Sequence, residues 1–530
     1  MFKAKKNQRN FRVQEGEFGD AYTFVENLLT RKDVSKEAAS EALLVFEALM
    51  QKLIDWGLDE DTDLEISESG RFGDFRIKIG FEGRMYTRDD AEDSIEDRIL
   101  DNHDDKLDYN YHTGYNAITI SVNRSRRTTL FACAMTSLCA VVVYLPLSFL
   151  IDTDRQLDLL NNYVFPLEQM YANAMLMIGA PMTFFSLLKN LTNTYVVSQR
   201  NSGIRELQMR TLATSAFAIL LAFASFSLIS NALLPDLGGV SSEYSSSVNR
   251  TFADVVTSFI PPSIFEPFEA ISPIPLMFVA LLCTYAMCSS GKYFDTLRRA
   301  MMACYRLFSR MLHIVIAVLP VFCFLSVMDV LLESGIKGAV VDLIMMVSII
   351  LGLLLLFATY AIRLRAHGIK VVPFVRNLFP LIRENASIGS AIDAAPYNIR
   401  YCAKTFKMNR AMLERNLPVL AEINLDGNCF ILMSLTLMFI FATGSQLSWI
   451  SIIGLAALIL FLSYGAPNQP GSILIGTLII TMYLNSFDVV CTAIFAEAVL
   501  GGMQNIVNVI GDIVMAAIED SKIKASAEDA

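Results

Sequence analysis

Between Leu130 and Ile518 the chain is a succession of apolar runs, most about twenty residues long, joined by short polar or charged connections. No other feature narrows the possible folds so far. Inside a bilayer no water reaches the backbone, so each run must be a helix, or irregular chain enclosed by protein or lining a cavity. Spans are expected at residues 130–151, 164–188 and 211–233, with a fourth ending near Ser290. A fifth continues to Leu332 with a kink at Pro320, and a sixth covers 340–364. Basic residues mark alternate connections: Arg124, Arg126 and Arg127, then Lys189, Arg200, Arg205 and Arg210, then Lys292, Arg298, Arg299, Arg306 and Arg310, then Arg363, Arg365, Lys370 and Arg376. The connection at 152–158 is acidic, and the one at 235–266 has one Arg and no Lys. The positive-inside rule then places the N-terminal domain in the cytoplasm. The expected location is a bacterial-type inner membrane with both termini cytoplasmic.

Two later segments are apolar at both ends and polar in the middle. Residues 371–398 contain Glu384-Asn385-Ala386-Ser387-Ile388-Gly389-Ser390, and 449–484 contain Ser463-Tyr464-Gly465-Ala466-Pro467-Asn468-Gln469-Pro470-Gly471. Each reads as a re-entrant hairpin of two half-helices meeting at a polar tip. Two ordinary helix pairs would instead leave Glu384 and Asn468 against lipid. One hairpin enters from each side, and a polar-interrupted helix follows each, which makes an inverted repeat with its site near the midplane. The expected fold class is a polytopic α-helical membrane protein with eight transmembrane helices, two re-entrant hairpins and an inverted repeat. A small α+β cytoplasmic domain precedes it.

The last apolar run carries a polar stripe. Glu497, Gly501, Gln504, Asn505, Asn508 and Asp512 recur at steps of three and four, one face of a helix. Such groups at membrane depth face a partner, an ion or a water-filled cavity. A polar seam between packed helices and an ion or solute site both satisfy that requirement. Asn508 and Asp512, one turn apart, could offer oxygens to one hard cation. The run Ala421-Glu422-Ile423-Asn424-Leu425-Asp426-Gly427-Asn428 interrupts another apolar segment and suggests a broken helix, whose free carbonyls can coordinate Na⁺. No Lys or Arg occurs between Arg415 and Lys522, so a mobile cation is the economical counter-charge for Asp426 and Asp512.

At these residues the chain resembles the dicarboxylate/amino acid:cation symporter family, which has the glutamate-transporter fold. Asn508-Val509-Ile510-Gly511-Asp512 matches that family's last-helix signature. Asn424-Leu425-Asp426-Gly427 matches the signature of its broken seventh helix, with Leu425 where Met is usual, and Thr214-Ser215-Ala216-Phe217-Ala218 matches its third helix. The likeness runs in order from about residue 126 to 522. It implies a Na⁺-coupled symporter that works as a homotrimeric elevator in the lipid bilayer. Residues 121–370 would be mainly scaffold, 371–522 a sliding transport core and 523–530 a cytoplasmic tail. By this resemblance Asn508 and Asp512 contribute to one Na⁺ site, and Thr214, Ser215, Asn424 and Asp426 to a second. Backbone oxygens around 422–425 and 463–466 would form a third. Two ion-site positions depart from the family: Thr211 stands where a tyrosine is usual, and Glu422 where a threonine is usual. The extra carboxylate could hold a proton or adjust Na⁺ affinity.

The substrate positions depart further. Carriers of acidic amino acids in this family use an Asp for the ammonium and, three residues on, an Arg for the side-chain carboxylate. Here those positions are Gly501 and Gln504. The following Thr is Asn505, the hydroxyl after the seventh-helix glycine is Asn428, and the serine-rich first tip is reduced to Ser387 and Ser390. The implied substrate set is Ser390, Asn428, Asn468, Gly501, Gln504, Asn505 and Asn508. An amide cannot replace a guanidinium fork for a carboxylate, so a neutral hydrogen-bonding solute is expected, a neutral amino acid first. Glu497, one turn before Gly501, could meet an ammonium. Two alternatives stay open: a cation-coupled dicarboxylate or acidic amino-acid symporter, and a transporter-like receptor that signals through the N-terminal domain.

Residues 1–120 have another chemistry. The first 127 residues hold 19 Lys and Arg against 27 Asp and Glu, an acidic balance that gives no nucleic-acid partner. Residues 1–16 read as a frayed basic arm without a signal-peptide pattern. Helices are expected at 19–29, 35–56 and 91–100, strands at 63–66 and 72–81, and a linker at 101–116. This part weakly resembles the front half of a histidine-kinase-type ATP-binding domain. Gln51 stands where that family has an Asn for Mg²⁺, and Gly80-Phe81-Glu82-Gly83 where it has an Asp-x-Gly loop. With the acidic residue missing, a regulatory or assembly module for a cytoplasmic partner is expected over a nucleotide site. The nine cysteines are scattered after residue 127 with no C-x-x-C pair, so they form neither a zinc site nor a disulfide framework. The four scattered histidines and the lack of a Ser/His/Asp set give no expectation of an enzyme.

Overall fold

The computed structural model describes the chain apart from residues 1–7, 13–14, 33, 35, 59–61, 70–74, 85, 87–99, 101–105, 113, 123–126, 201–203, 234–256, 258, 389–390, 443–448, 466–475, 477–489 and 529–530, and apart from some side chains beside them. The chain divides into two units, an N-terminal one of residues 1–127 with which 392–398 are grouped, and a membrane unit of residues 128–391 and 399–530.

The N-terminal unit has helices α1 (Glu15–Arg31) and α2 (Lys36–Asp55) and five strands: β1 (Gln8–Arg12), β2 (Asp63–Ser69), β3 (Phe75–Glu82), β4 (Leu107–His112) and β5 (Tyr115–Val122). The strands pair antiparallel in the order β1-β2-β3-β5-β4. Alternation decides which face is inner. Phe75, Ile77, Ile79 and Phe81 of β3 and Ile118, Ile120 and Val122 of β5 point into a core closed by Leu43, Phe46, Leu49 and Leu53 of α2. Lys106 and Glu41 form a nearly buried ion pair, with side chains 7% and 14% exposed.

Two expectations are corrected here. Part of the basic arm is the edge strand β1, its Phe11 buried in the core. Half of the expected linker at 101–116 is strand, β4 and the start of β5, with Tyr109 paired to Ile118 and Tyr111 to Asn116. The helix expected at 91–100 lies outside the described residues except for Leu100.

In the membrane unit, six helices among the described residues are long and apolar enough to cross a membrane, or seven if one bent pair counts as a span. The first helices are α3 (Arg127–Leu150), the short α4 (Thr153–Leu159), α5 (Phe165–Arg200) and α6 (Ile204–Leu233). The acidic loop expected at 152–158 is therefore helical, and a π-helical turn, Leu160–Val164, joins it to α5. Helix α7 (Pro273–Cys288) turns by 112° into the segment containing α8 (Phe294–Ile316). Helix α8 is amphipathic: Met301, Tyr305, Ser309, Leu312 and Ile316 are buried at steps of three and four.

The fifth span thus differs from its expected form. The chain breaks at Ala317–Val318 and starts α9 (Leu319–Ala366) with Pro320 in the first turn, where its missing N–H disturbs no helical bond. Pro320 opens a helix and does not kink one. The kink falls at Gly335, whose φ of 64° is a left-handed conformation that glycine adopts without strain. Leu319–Ile336 and Met346–Ala366 are separate spans on either side.

Helices α10 (Val371–Ile388) and α11 (Ala391–Thr405) follow. The Tyr401 hydroxyl of α11 donates to the Asn377 carbonyl of α10 at 2.7 Å, and the ring of Phe406, just past α11, lies 4.7 Å from that of Phe374. Next come α12 (Arg410–Ile423) and α13 (Asp426–Ala442), a helix broken at Asn424–Leu425 where the polar run interrupts the apolar pattern. Helix α14 (Trp449–Gly465) precedes α15 (Val490–Glu528), which packs against α9, α10, α12 and α13.

Candidate cation and solute site

The break between α12 and α13 brings two buried carboxylates together with the oxygens of three other helices. Asn424, the residue that caps α12, donates from Nδ2 to Asp512 Oδ1 of α15 at 3.0 Å. Thr214 of α6 lies 3.4 Å from Asn424 Oδ1, its hydroxyl also donating to the Thr211 carbonyl at 2.9 Å. Ser215 donates to Asp426 Oδ1 at 2.9 Å. The Tyr360 hydroxyl of α9 donates to Asp426 Oδ2, also at 2.9 Å. Asn424, Asp426, Asp512 and Ser215 are all at most 3% exposed. Carboxylate, amide and hydroxyl oxygens converging at hydrogen-bond distance are a donor set for a hard cation.

The structure brings Thr214, Ser215, Asn424 and Asp426 together, and Asp512 joins the same cluster. Asn508 does not share Asp512's partner: its Oδ1 accepts the Gly427 backbone N–H at 2.8 Å, at the start of α13. Thr211 turns its hydroxyl back to the Gln208 carbonyl, 2.9 Å away, and meets the cluster only through its backbone carbonyl, which accepts from Thr214. Glu422 lies elsewhere too. Its Oε1 accepts from Asn193 of α5 at 3.3 Å, and Asn193 Oδ1 accepts from Arg298 of α8 at 3.2 Å. Lys189 adds a second positive charge near Glu422. The Glu422 carboxylate thus faces α5 and α8, not the cluster around Asp426 and Asp512. The sequence also gave Asp426 no basic neighbour, whereas the tertiary structure brings Arg363 of α9 close enough to act on it electrostatically.

Two glycines permit this close assembly. A Cβ on Gly427 would fall 2.6 Å from the Gln504 carbonyl and 2.8 Å from Asn508 Oδ1. A Cβ on Gly511 would fall 2.8 Å from Asn424 Nδ2. Gly427→Ala meets backbone that cannot swing aside, so it is expected to separate α13 from α15 and to abolish Na⁺-driven uptake. The measurement is uptake into proteoliposomes at matched protein density; wild-type rates would show that the contact is not needed.

The positions expected to meet solute have a different character. Gly501 and Gln504 are buried on α15 with no charge. Among the described residues, Asn428, 2% exposed, has no hydrogen-bond partner for either amide atom, and Asn505, 8% exposed, has none for Nδ2. Buried amides nearly always have partners, so these atoms are available to a ligand. Ser390 and Asn468, the two tip residues of the expected set, lie outside the described residues, as do the side chains of Glu384, Ser387 and Glu497.

In the N-terminal unit, Gln51 is exposed and donates to Asp55 at 3.4 Å. Gly80 lies beneath Tyr115: a Cβ there would come 1.9 Å from the phenolic oxygen, so the glycine serves packing within the sheet. Burial and the Glu65 carboxylate, which accepts the Tyr115 hydroxyl at 3.2 Å, push the phenol's pKa up.

A model of the sodium:dicarboxylate symporter family matches residues 128–522. The chain belongs to that family. The match spans the membrane unit from α3 to α15 and includes every residue of the cluster around Asp426 and Asp512. The protein is thus a multi-pass membrane symporter of the sodium-coupled dicarboxylate and amino-acid class. No curated protein matches the chain.

Proposed function

We propose that this symporter moves a small neutral polar solute, a neutral amino acid first, down a Na⁺ gradient. The observation that supports this most is the pair of buried amides without partners, Asn428 and Asn505, beside a helix face that presents Gly501 and Gln504 in place of ionic groups. Together the amides offer donors and an acceptor but no charge. Such a site suits a hydrogen-bonding solute and leaves a free carboxylate or ammonium poorly compensated.

Na⁺ is the cargo that drives the cycle. It sits among Thr214, Ser215, Asn424 and Asp426, with Asn508 and Asp512 contributing to a second position, and its charge compensates the carboxylates while the core moves. Residues 371–522 form that core, with 371–398 and 449–484 as re-entrant hairpins whose tips carry Ser390 and Asn468. The core slides as an elevator against residues 121–370 within a homotrimer. The membrane is a bacterial-type inner membrane with both termini cytoplasmic, and the acidic N-terminal domain regulates or assembles the carrier.

Uptake of a labelled panel into proteoliposomes under a Na⁺ gradient tests the reading. Neutral amino acids should accumulate, and dicarboxylates should not compete; the reverse order would favour the acidic-solute alternative. Asn428→Leu gives a second test with opposite signs. It should weaken solute affinity at least about tenfold, as expected for one lost hydrogen bond to a ligand. It should also stabilise the solute-free protein by roughly 1–3 kcal/mol, because a buried unsatisfied amide disappears. A lower melting temperature with unchanged affinity would mean that Asn428 is structural.

A further inference from the structure

The residues that resemblance assigned to the Asp426 cluster come from α6 and from the break between α12 and α13. A further side chain reaches the same carboxylate from α9, where no motif pointed. Tyr360 is 3% exposed and donates its hydroxyl to Asp426 Oδ2 at 2.9 Å, opposite the Ser215 hydroxyl on Oδ1. Gly511 leaves room for it, since a Cβ there would lie 3.1 Å from the phenolic oxygen and 2.8 Å from Asn424 Nδ2. Arg363, one turn along α9, has its guanidinium 5.9 Å from the centre of the Tyr360 ring and donates to Met515 Sδ at 2.7 Å, which ties this part of α9 to α15.

We propose that Tyr360 is a further ligand of the transported cation, given that the Asp426 cluster is where that cation binds. A phenol whose proton is committed to a carboxylate keeps its oxygen lone pairs available. Tyr360 therefore adds a neutral oxygen to a set otherwise made of carboxylate, amide and aliphatic hydroxyl groups. The ring is rigid and enclosed, so the oxygen is held in place without the entropy loss of a longer side chain. It also reaches Asp426 from a helix other than those carrying Ser215 and Asn424, so α6, α9 and the broken helix would meet at one ion.

Tyr360→Phe removes the oxygen and keeps the ring. In proteoliposomes it should raise the Na⁺ concentration for half-maximal uptake by about 10–100-fold, the usual effect of losing one supporting group at a metal. The maximal rate at saturating Na⁺ should stay within about twofold of wild type, the signature of lost ion binding alone. The ratio of Li⁺ to Na⁺ affinity should change as well, which a structural hydroxyl would leave alone. A Na⁺ half-saturation within about twofold of wild type, while Asp426→Asn shifts it, overturns the proposal but spares the cation site. If Asp426→Asn leaves it unmoved too, the cation-site reading falls and Tyr360 with it. Should Tyr360→Phe fail to fold, the full-length protein with 3-fluorotyrosine at position 360 gives the same answer by fluorine NMR. Na⁺, but not choline, should shift the resonance over the concentrations that drive uptake, and the lack of a Na⁺-specific shift overturns the assignment.

Discussion

Asp426→Asn and Asp512→Asn are each expected to remove most of the Na⁺ dependence of uptake while the protein stays folded. Each change keeps the shape of the side chain and deletes one charge. In the structure Asp426 is 1% exposed and held by the hydroxyls of Ser215 and Tyr360, and Asp512, 3% exposed, by the Asn424 amide. An amide oxygen can still accept one such bond, so the packing of α6, α9, α13 and α15 survives. What is lost is the charge that draws a cation into a buried site. Losing one partner of a buried, hydrogen-bonded charge pair is worth about 2–5 kcal/mol, or roughly thirty-fold to a few thousand-fold in affinity. Uptake measured against external Na⁺ reads this directly, and circular dichroism with size-exclusion chromatography checks the fold. Unchanged Na⁺ dependence in both variants would remove the sodium assignment.

Gly501→Asp combined with Gln504→Arg is expected to convert the carrier toward acidic amino acids. The two positions lie three residues apart on α15 and so share one helix face. An Asp at 501 would meet the ammonium of an amino acid, and an Arg at 504 would grip its side-chain carboxylate with two parallel hydrogen bonds. Without the guanidinium a buried carboxylate loses about 2–5 kcal/mol of compensation, so wild-type affinity for aspartate should be poorer by thirty-fold or more, roughly, than in the double variant. The double change should exceed the sum of the single ones, because groups that orient one ligand are coupled. Competition of Na⁺-driven uptake by aspartate measures the effect. Tight aspartate uptake by the wild-type protein would show that another cation serves the carboxylate and would end the neutral-solute reading.

The broken helix and the lack of charge at the solute positions were legible in the chain itself. Lipid forbids unpaired backbone, so an apolar run interrupted by Asn424-Leu425-Asp426-Gly427 could only be a break enclosed by other helices, and the structure places it there. Gly501 and Gln504 lack charge whatever surrounds them. The polar strands of the N-terminal unit were not legible. In β4 only Leu107 is buried, so an exposed edge strand rich in Asp, Asn and Tyr carries no hydrophobic alternation to reveal it.

Tertiary structure alone decided which partners the carboxylates meet. Ser215 lies 211 residues from Asp426, and Tyr360 lies 66 away on a helix that only the fold brings alongside. Residue spacing held no record of either contact, and the absence of nearby basic residues in sequence concealed Arg363. Glu422 is the clearest case. It precedes Asn424 by two residues, and at about 100° per residue on a helix that is a turn of roughly 200°. Its carboxylate is therefore carried to Asn193 on α5, while Asn424, at the break, is turned toward Asp512. The sequence determined that the last helices would enclose polar groups without fixed counter-charges nearby in the chain. Packing determined which of those groups share one site, because side-chain direction and helix neighbours depend on the whole fold.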